Sequence, residues 1–543
     1  MNNEILHINY SCKKSKNSKP TIIEKSIKIV YSIFLLFVRQ CVSIIYGKGE
    51  RAPPIRNKIL LEPVTSLAEK IRNGELKSVD LVKYYISRIR DINPILNCMV
   101  ENRFEDAISD AYLVDTLIES KKFTKDELAE QKPLLGIPFT TKDSIQIKNM
   151  LNTAGLWLRK DYRADENAKT ITLLLEAGAI PLAITNVPEL CMWWECSNLI
   201  YGRTNNPYDT NRTVGGSSGG EGCIQASCGS AFGLGSDMGG SIRIPAFCNG
   251  IFGHKPTKFI VSNHGQFPSF YDDEKEGFLS MGPMCRHATD LKLILKIIAN
   301  DKRKYLNLDE KVDIKNIKFF YQIDDGGAPL VQSVDKEIQD ALKKIIQHIS
   351  NETNENPKQV QFEKLRQSFE IFDANVQNVH GIGAQKLLTN LNGNVNPYTE
   401  LGKMIIGRSK HTFMGVINAL FEEIGISHGS NIYYKFVEKR DVLLKEIQDL
   451  LGDNGVLLYP THPTVAPYHF EPIARVLNFS YTAVFNTMGF PCTTIPMGIG
   501  SEGLPLGIQV IANHNQDRLC LAVAEELEKA FGGWVPPSLE LEL

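Results

Sequence analysis

Apolar residues recur at helical spacing in several parts of the chain. In residues 66–92 they lie three and four positions apart, and the pair Asn73-Gly74 interrupts them, which predicts two helices joined by a turn. Residues 315–448 are also mostly helical in pattern but more polar, with an exposed loop predicted at 351–358. Two further helices are predicted, at residues 170–177, which end before Gly178, and at residues 516–531.

Short apolar runs of strand length alternate with these helical segments. Runs of this kind at residues 180–184, 456–459 and 491–497 are typical of buried strands. Because strands and helices alternate along the chain, the sequence predicts an α/β fold.

The longest apolar stretch, residues 27–46, follows a lysine-rich tail at residues 1–26. Its length suits a membrane helix of about 20 residues. Lys28 and Arg39 interrupt it, and on a helix they share one narrow polar sector with two serines. Four interpretations stay open: a single spanning anchor, a helix lying in the membrane interface, a signal peptide, and a terminal helix packed on the body.

Residues 47–58 are charged and contain proline and glycine, which is typical of a linker. We therefore predict one large folded domain over residues 59–543. The 60 basic and 62 acidic residues give a net charge of -2, which argues against a broad nucleic-acid surface. The eleven cysteines show no zinc-ligand spacing, so free thiols in a reducing environment are expected.

Three segments carry candidate chemistry: PLLGIPFTTKDSI at 133–145, TVGGSSGGEG at 213–222 and GSDMGGSIRIPA at 235–246. In the third, the backbone N–H groups of residues 238–241 are placed to converge on an anion. A serine beside such a nest can be a nucleophile whose intermediate is held by these donors. Phosphate binding is the alternative, although none of these three segments contains a P-loop ending or GxGxxG, and spacing alone leaves both interpretations open.

A nucleophilic serine needs a base. The glycine-rich segments contain no histidine, and His254 and His264 stand in no recognisable triad pattern. Lys142 follows an apolar-to-neutral run, so burial would lower its pKa and let it act as a base. A lysine taken alone is more often a solvated surface residue, so the pattern by itself does not decide its role.

Together, GIPFTTKDS, VGGSSGGEG and GSDMGGSIRIPAFCNGIFGHKPT resemble the amidase-signature family. The resemblance runs from about residue 59 to the C-terminus and is weak only between 300 and 450. Within the family it is strongest to the membrane-anchored fatty-acid amide hydrolases. Four further segments share the family resemblance: ITNVPELCMWWECSNLIYGRTNNPYD at 184–209, MGPMCRHATDL at 281–291, FNTMGFPCTTIPMG at 485–498 and GLPLGIQVIA at 503–512.

The resemblance implies a single large domain with a mixed sheet flanked by helices, and a Ser–cis-Ser–Lys triad that needs no metal or organic cofactor. It implies that Lys142 is the base, that Ser217, after a cis peptide bond, is the bridging serine, and that Ser241 is the nucleophile. The remaining implied roles are oxyanion donation by the backbone of Met238, Gly239, Gly240 and Ser241, a supporting hydrogen bond from Ser218, and bracing of the loop by Arg243.

The resemblance also implies the substrate: amides, and esters as well, of fatty acids. A membrane-bound enzyme receives such substrates from the bilayer, so we expect residues 27–46 to bind an internal membrane such as the endoplasmic reticulum. Met192, Trp193 and Trp194 are candidates for the acyl-channel wall or for ordinary core packing. We expect no nucleic-acid partner, and a homodimer is left open.

Four alternatives to this function remain. The first is an amidase of small non-lipid amides, and the second is an amidotransferase-like subunit of the same family. The third is an α/β-hydrolase, because G-x-S-x-G occurs at residues 215–219 and 216–220. The fourth is an inactive binding protein, although such a protein has no need to keep the lysine and both serines.

Overall fold

The computed structural model describes residues 21–269, 276–376 and 383–541. Strands and helices alternate in it, so the predicted α/β class is confirmed. The strands are β1 (Met99–Asn102), β2 (Pro138–Lys142), β3 (Ile180–Thr185), β4 (Ser197–Asn198), β5 (Gly202–Arg203), β6 (Phe232–Asp237), β7 (Phe252–Lys255), β8 (Ser280–Cys285), β9 (Lys318–Tyr321), β10 (Lys358–Gln359), β11 (Gly455–Pro460), β12 (Cys492–Ile499) and β13 (Pro505–Ala512).

Eleven of these strands form one mixed sheet in the order β1-β3-β2-β6-β8-β7-β12-β13-β11-β9-β10. Strand β2 runs parallel to both of its neighbours, β3 and β6, and β9 runs parallel to β10 and β11. The other neighbouring pairs are antiparallel. The mixed sheet implied by the family resemblance is therefore present.

Helices cover this sheet. The helices of the described residues are α1 (Ile22–Tyr46), α2 (Val64–Asn73), α3 (Ser78–Leu96), α4 (Phe104–Glu119), α5 (Lys125–Gln131), α6 (Lys169–Glu176), α7 (Gly219–Ala226), α8 (Arg243–Cys248), α9 (Ala288–Ile298), α10 (Lys336–Glu352), α11 (Ser368–Val376), α12 (Ala384–Leu388), α13 (Pro397–Ile405), α14 (Phe413–Ile424), α15 (Asn431–Leu451), α16 (Ser480–Met488) and α17 (Asp517–Phe531).

The sequence predicted several of these elements correctly. Helices α2 and α3 are joined through Gly74, which adopts a left-handed conformation with φ 74° that suits glycine. Helices α6 and α17, strands β3, β11 and β12, and the mostly exposed loop between α10 and β10 also lie where they were predicted. Strands β2, β3, β6, β11 and β13 are buried along their whole length. In β3, β11 and β13 this burial explains a mostly continuous rather than alternating apolar pattern.

Helix α1 begins at Ile22, five residues earlier than the predicted start. Thr21 and Glu24 form a capping box there: the Thr21 hydroxyl accepts the Glu24 N–H, and the Glu24 carboxylate accepts the Thr21 N–H. This reciprocal bonding satisfies the first N–H groups of the helix and fixes where it starts. The described part of the predicted basic tail therefore belongs to the helix, and residues 1–20 lie outside the described residues.

Residues 47–58, predicted as a linker, pack on the folded body instead. Ile55 is fully buried and bridges to Leu539 near the C-terminus. The Ala52 N–H donates to the Pro207 carbonyl at 2.9 Å. Charge and proline content suggested a free segment, but contacts with distant parts of the chain, which composition does not reveal, satisfy its backbone.

Candidate active site

The parallel pairing of β2 with β6 brings the predicted site residues together. Thr141 in β2 pairs with Leu234 in β6, so Lys142, the last residue of β2, and Ser236, next to the last residue of β6, lie at the same edge of the sheet. Ser217 lies just before helix α7, and Ser241 lies just before helix α8. Polar side chains at the carboxyl ends of parallel strands and the starts of helices commonly form such sites.

Lys142 is fully buried and its Nζ donates to the Ser217 Oγ at 2.8 Å. The peptide bond between Gly216 and Ser217 is cis, as the resemblance implied. Burial lowers the pKa of Lys142, and the charge interactions with Cys191 and Asp237 oppose this shift only in part. The desolvated lysine expected from the sequence is thus confirmed.

Ser236 is a second hydroxyl partner of the lysine that sequence reasoning missed. Its Oγ accepts a hydrogen bond from the Lys142 Nζ at 3.0 Å. Ser218, which was expected to support the network, donates its hydroxyl proton to the Ser236 carbonyl at 3.4 Å. Ser236 stands within the GSDMGG segment, but only the register of β6 against β2 shows that it faces Lys142.

Ser241 joins the hydrogen-bond network of Lys142, Ser217, Ser218 and Ser236 through its backbone. Its carbonyl accepts the Ser218 N–H at 3.1 Å, and its side chain is half-buried. Within the described ranges, no hydrogen bond joins the Ser241 hydroxyl to Ser217. Rotation about the side-chain bond of a half-buried serine changes the direction of its Oγ without moving the backbone.

Asp237 organises the loop that carries Ser241. Its carboxylate accepts the Gly240 N–H at 2.7 Å and the Ile242 N–H at 3.1 Å. Gly240 has φ 121°, and a Cβ there would lie 2.1 Å from the Thr482 hydroxyl oxygen, so only glycine fits.

This arrangement corrects one predicted oxyanion donor. The N–H of Gly240 points at Asp237 rather than into the site, because the aspartate binds the loop from behind. The backbone N–H groups of Met238, Gly239 and Ser241 form no hydrogen bond with the described parts of the chain. Three of the four predicted donors therefore remain available to a ligand.

Arg243 pairs with Asp237 at 3.0 Å, and both side chains are fully buried. Arg243 also donates to Gln509 at 2.9 Å and to the side-chain oxygen of Asn486 at 2.5 Å. Burial alone would raise the pKa of Asp237, but the Arg243 guanidinium and Lys255 hold it well below its usual range. The pair is therefore ionised, and it braces the loop as expected.

Asp143 has a similar bracing role beside the lysine. Its carboxylate accepts the Thr153 N–H at 2.7 Å and the Thr153 hydroxyl, and its own N–H donates to the Thr185 carbonyl. Burial raises the pKa of Asp143 to about 7 although the hydrogen bonds from Thr153 oppose this shift.

The aromatic residues proposed for an acyl channel differ in their packing. Trp194 is only 4% exposed and belongs to the main core, so the core-packing interpretation holds for it. Trp193 is partly buried against the same core. Met192 packs against a second apolar cluster that includes Leu190 and Phe267.

The α/β-hydrolase alternative does not fit this geometry. A nucleophile elbow needs a buried strand directly before its serine, whereas no strand lies between Arg203 and Ser217. Both ring nitrogens of the buried His254 are hydrogen-bonded, one to Thr493 and the other to Asp517, and neither to a G-x-S-x-G serine. The hydroxyl of Ser217 is bonded to a lysine instead.

A buried lysine that binds a serine hydroxyl beside free backbone donors defines a candidate acyl-transfer site. The sequence model of the Amidase family matches residues 80–521. Fatty-acid amide hydrolase 2 of Homo sapiens is 45% identical over 489 residues, which are 89% of this chain and 92% of that protein. Fatty-acid amide hydrolase 2-B of Danio rerio is 44% identical over 497 residues, 91% and 94% of the two chains.

A solved structure of a fatty acid amide hydrolase shares the fold, with a TM-score of 0.69 at 23% identity. It covers 88% of this chain, and the match covers 86% of that chain. The chain therefore belongs to the amidase family and is an amide-cleaving hydrolase.

Proposed function

We propose that Ser241 is the nucleophile, that Ser217 relays its proton, and that Lys142 is the base. The observation that carries this proposal is the 2.8 Å contact between the buried Lys142 Nζ and the Ser217 Oγ. Because burial lowers the pKa of this lysine, it spends more of its time neutral near physiological pH and is able to accept a proton.

The reaction then proceeds in two halves. The Ser241 Oγ attacks the amide carbonyl carbon while its proton passes to Ser217 and the Ser217 proton passes to Lys142. When the tetrahedral intermediate collapses, the C–N bond breaks and the amine leaves with a proton returned from Lys142 through Ser217. Water attacks the acyl-enzyme by the same route, which releases the carboxylic acid and restores the Ser241 hydroxyl.

The N–H groups of Met238, Gly239 and Ser241 are the proposed oxyanion donors. They border Ser241, and Asp237 fixes the loop from its opposite side. Donors held in place before the reaction stabilise the developing charge without reorganisation, and one such donor contributes about 3–4 kcal/mol.

We further propose that the acyl group is a long fatty chain. Both of the relatives described above are fatty-acid amide hydrolases. An aromatic wall stands over the oxyanion loop: a Cβ on Gly239 would lie 3.4 Å from the Phe372 ring and 3.7 Å from the Phe479 ring. These two rings pack edge to face at 5.4 Å. Apolar rings beside the reacting carbonyl suit a hydrocarbon chain better than a small polar amide.

Turnover of primary amides of increasing acyl length tests this proposal. We expect kcat/KM to rise with chain length, because each buried CH2 contributes about 0.8 kcal/mol, and Ser241→Ala to remove turnover at every length. Equal kcat/KM for acetamide and long-chain amides would instead favour an amidase of small non-lipid amides. Full activity of Ser241→Ala would place the nucleophile elsewhere.

We also propose that α1 associates with a membrane by lying in its interface. Among the described residues, it is the one helix long and apolar enough to cross a bilayer. Its outward side chains are strongly exposed, with Ile29 at 61%, Leu36 at 69% and Ile44 at 74%. Monomeric soluble proteins rarely expose a continuous apolar face of this length.

The inward side of α1 is bound to the body along the helix. Glu24 pairs with Arg366 at 2.7 Å, the Tyr31 hydroxyl donates to the Ala474 carbonyl at 2.8 Å, and Arg39 pairs with Glu502. The Tyr46 carbonyl accepts the Asn211 side-chain amide at 2.7 Å, so contacts from Glu24 to Tyr46 extend over roughly 33 Å at 1.5 Å per residue. A spanning α1 would carry these charged partners into hydrocarbon, which is costly, so an interfacial position is favoured.

Binding to phosphatidylcholine vesicles checks the membrane proposal. The double variant Ile29→Glu with Leu36→Glu is expected to bind at least about 100-fold more weakly, because two large apolar side chains no longer enter the membrane. Leu113→Glu with Phe123→Glu makes the same charge change at exposed apolar sites outside α1 and is the matched control. Equal weakening by both pairs, or retention of the unaltered protein in membranes at alkaline carbonate pH, would contradict an interfacial α1.

A further inference from the structure

Behind the proposed base lies a fully buried carboxylate, Glu221, that the mechanism above does not use. One of its oxygens accepts the Thr140 hydroxyl at 3.0 Å and the Gln225 amide at 3.3 Å. The other oxygen accepts the Thr185 hydroxyl at 2.9 Å. All three donors are neutral side chains, so they bind the carboxylate without cancelling its charge.

Two of these donors flank Lys142 directly. Thr140 precedes Lys142 by two positions in β2, so both side chains project from the same face of the strand. Thr185 is the residue of β3 that pairs with Lys142 in the sheet register. The carboxylate of Glu221 therefore rests against the two strands at the point where Lys142 leaves the sheet.

The absence of a side chain at Gly233 leaves room for this carboxylate on the sheet. Gly233 of β6 pairs with Thr140, and a Cβ on it would lie 1.9 Å from a Glu221 carboxylate oxygen. No side chain at this position is compatible with Glu221 where it stands. Glycine at this position of β6 thus allows the carboxylate carried by helix α7 to pack closely on the sheet.

Glu221 also connects the lysine to the bridging serine. It lies in the first turn of α7, and Ser217 stands just before that helix. A second contact fixes the same turn, since the Gly220 N–H donates to the Asn186 carbonyl at 3.1 Å. Helix α7 is thereby held on the strand that carries Lys142, which keeps Ser217 within reach of the Lys142 Nζ.

From this placement we infer that Glu221 is a positioning residue of the reaction: it holds α7 against β2 and β3 and presents a negative charge to Lys142 from within the protein. The inference rests on the proposed role of Lys142 as the base. The charge stabilises the ammonium form that Lys142 adopts when it takes the proton of Ser217, and it makes the lysine a stronger base than burial alone would leave it.

The ionisation of Glu221 and Lys142 is linked. Burial raises the pKa of Glu221 to about 7, against the hydrogen bonds from Thr185, Thr140 and Gln225 and the charge of Lys142, so the carboxylate is ionised above that pH. The other titratable groups that act on this pair come from the neighbouring elements: Cys191 and Cys196 from the segment after β3, Asp237 from β6, and Cys285 from β8.

The pH dependence of kcat/KM for amide hydrolysis tests the inference. Glu221→Gln keeps the shape of the side chain and removes its charge. We expect the acid limb of the profile to move to lower pH by about one unit, because the lysine ammonium loses its stabilising anion, and the plateau to fall about tenfold because the base is weaker. Glu221→Asp keeps the negative charge, so the acid limb is expected to stay close to that of the unaltered protein.

A structural role alone predicts a different result. It predicts lower thermal stability for Glu221→Gln with an unmoved acid limb, and that result would overturn the inference. Asp290→Asn is the control: Asp290 is another buried carboxylate, holds the N–H groups of Val64 and Thr65, and does not contact the site. It is expected to lower thermal stability and leave the limb in place.

Thr185→Val gives a second route if Glu221→Gln does not fold. It removes a hydroxyl donor and so raises the pKa of Glu221, which is expected to move the limb in the same direction; an unmoved limb would again overturn the inference. Fluorophosphonate labelling distinguishes a failure of the proposed nucleophile from a failure of the proposed role of Glu221. Labelling that persists in Ser241→Ala refutes the proposed nucleophile, whereas labelling lost in Ser241→Ala with an unmoved limb in Glu221→Gln refutes only the role of Glu221.

Discussion

Lys142→Ala is expected to lower amide turnover by about a thousandfold. Turnover of an ester with the same acyl group is expected to fall by a clearly smaller factor. Both reactions lose the base that activates Ser241 through Ser217. Amide cleavage also loses the proton that an amine needs in order to leave, whereas an alkoxide leaves more readily without one. The ratio of kcat/KM for a matched amide and ester, measured at one pH, is the readout.

Lys255→Met provides the control for loss of a buried lysine. Lys255 is as buried as Lys142, its Nζ donates to the Pro256 carbonyl at 2.8 Å, and burial lowers its pKa as well. We expect this variant to lose stability but to keep the amide-to-ester ratio. Equal losses of amide and ester turnover in Lys142→Ala would show that Lys142 does not donate the proton to the leaving group.

The same lysine sets the direction of the pH response. Its pKa is lowered by burial, so the neutral form extends further toward neutral pH than for an exposed lysine. The activity of the unaltered protein should therefore fall as the pH falls through the pKa of Lys142, where the base becomes protonated.

Much of the site was predictable because its residues lie in short, distinctive segments. Lys142, Ser217 and Ser241 were each assigned from motifs whose order along the chain matches one family, and the structure brings Lys142 and Ser217 into contact. Local sequence also specified the long helices and buried strands, since their apolar periodicity is set by neighbouring residues.

What sequence reasoning missed depends on contacts between distant segments. The approach of Ser236 to Lys142 follows from the register of two strands about a hundred residues apart in the chain. The loss of Gly240 as an oxyanion donor follows from the direction of one N–H toward Asp237. The sequence left the docking of α1 on the body open as one of four interpretations, and ion pairs such as that between Arg39 and Glu502 decide it. No local pattern encodes these contacts.

The largest effect on stability is expected from Asp237→Asn. The substitution leaves the fully buried Arg243 guanidinium without its counter-charge and weakens the support of the Gly240 and Ile242 N–H groups. Removing one partner of a buried ion pair costs about 3–5 kcal/mol, so we expect the free energy of unfolding in urea to fall by that amount. Fluorophosphonate labelling of Ser241 should fall with it, because the loop that carries the serine loses its brace.

Two comparisons make the Asp237 result specific. Asp340→Asn breaks an exposed ion pair with Lys343 and is expected to leave the free energy of unfolding nearly unchanged. Adding Arg243→Met to Asp237→Asn removes the unpaired charge and should recover part of the stability but not the labelling, since the loop stays unbraced. The pKa of Asp237 lies well below its usual range, so its contribution to the free energy of unfolding should persist at neutral pH and disappear only as the pH falls through that lowered value.

Unchanged unfolding and labelling in Asp237→Asn would show that the Asn486 and Thr482 contacts alone hold the loop.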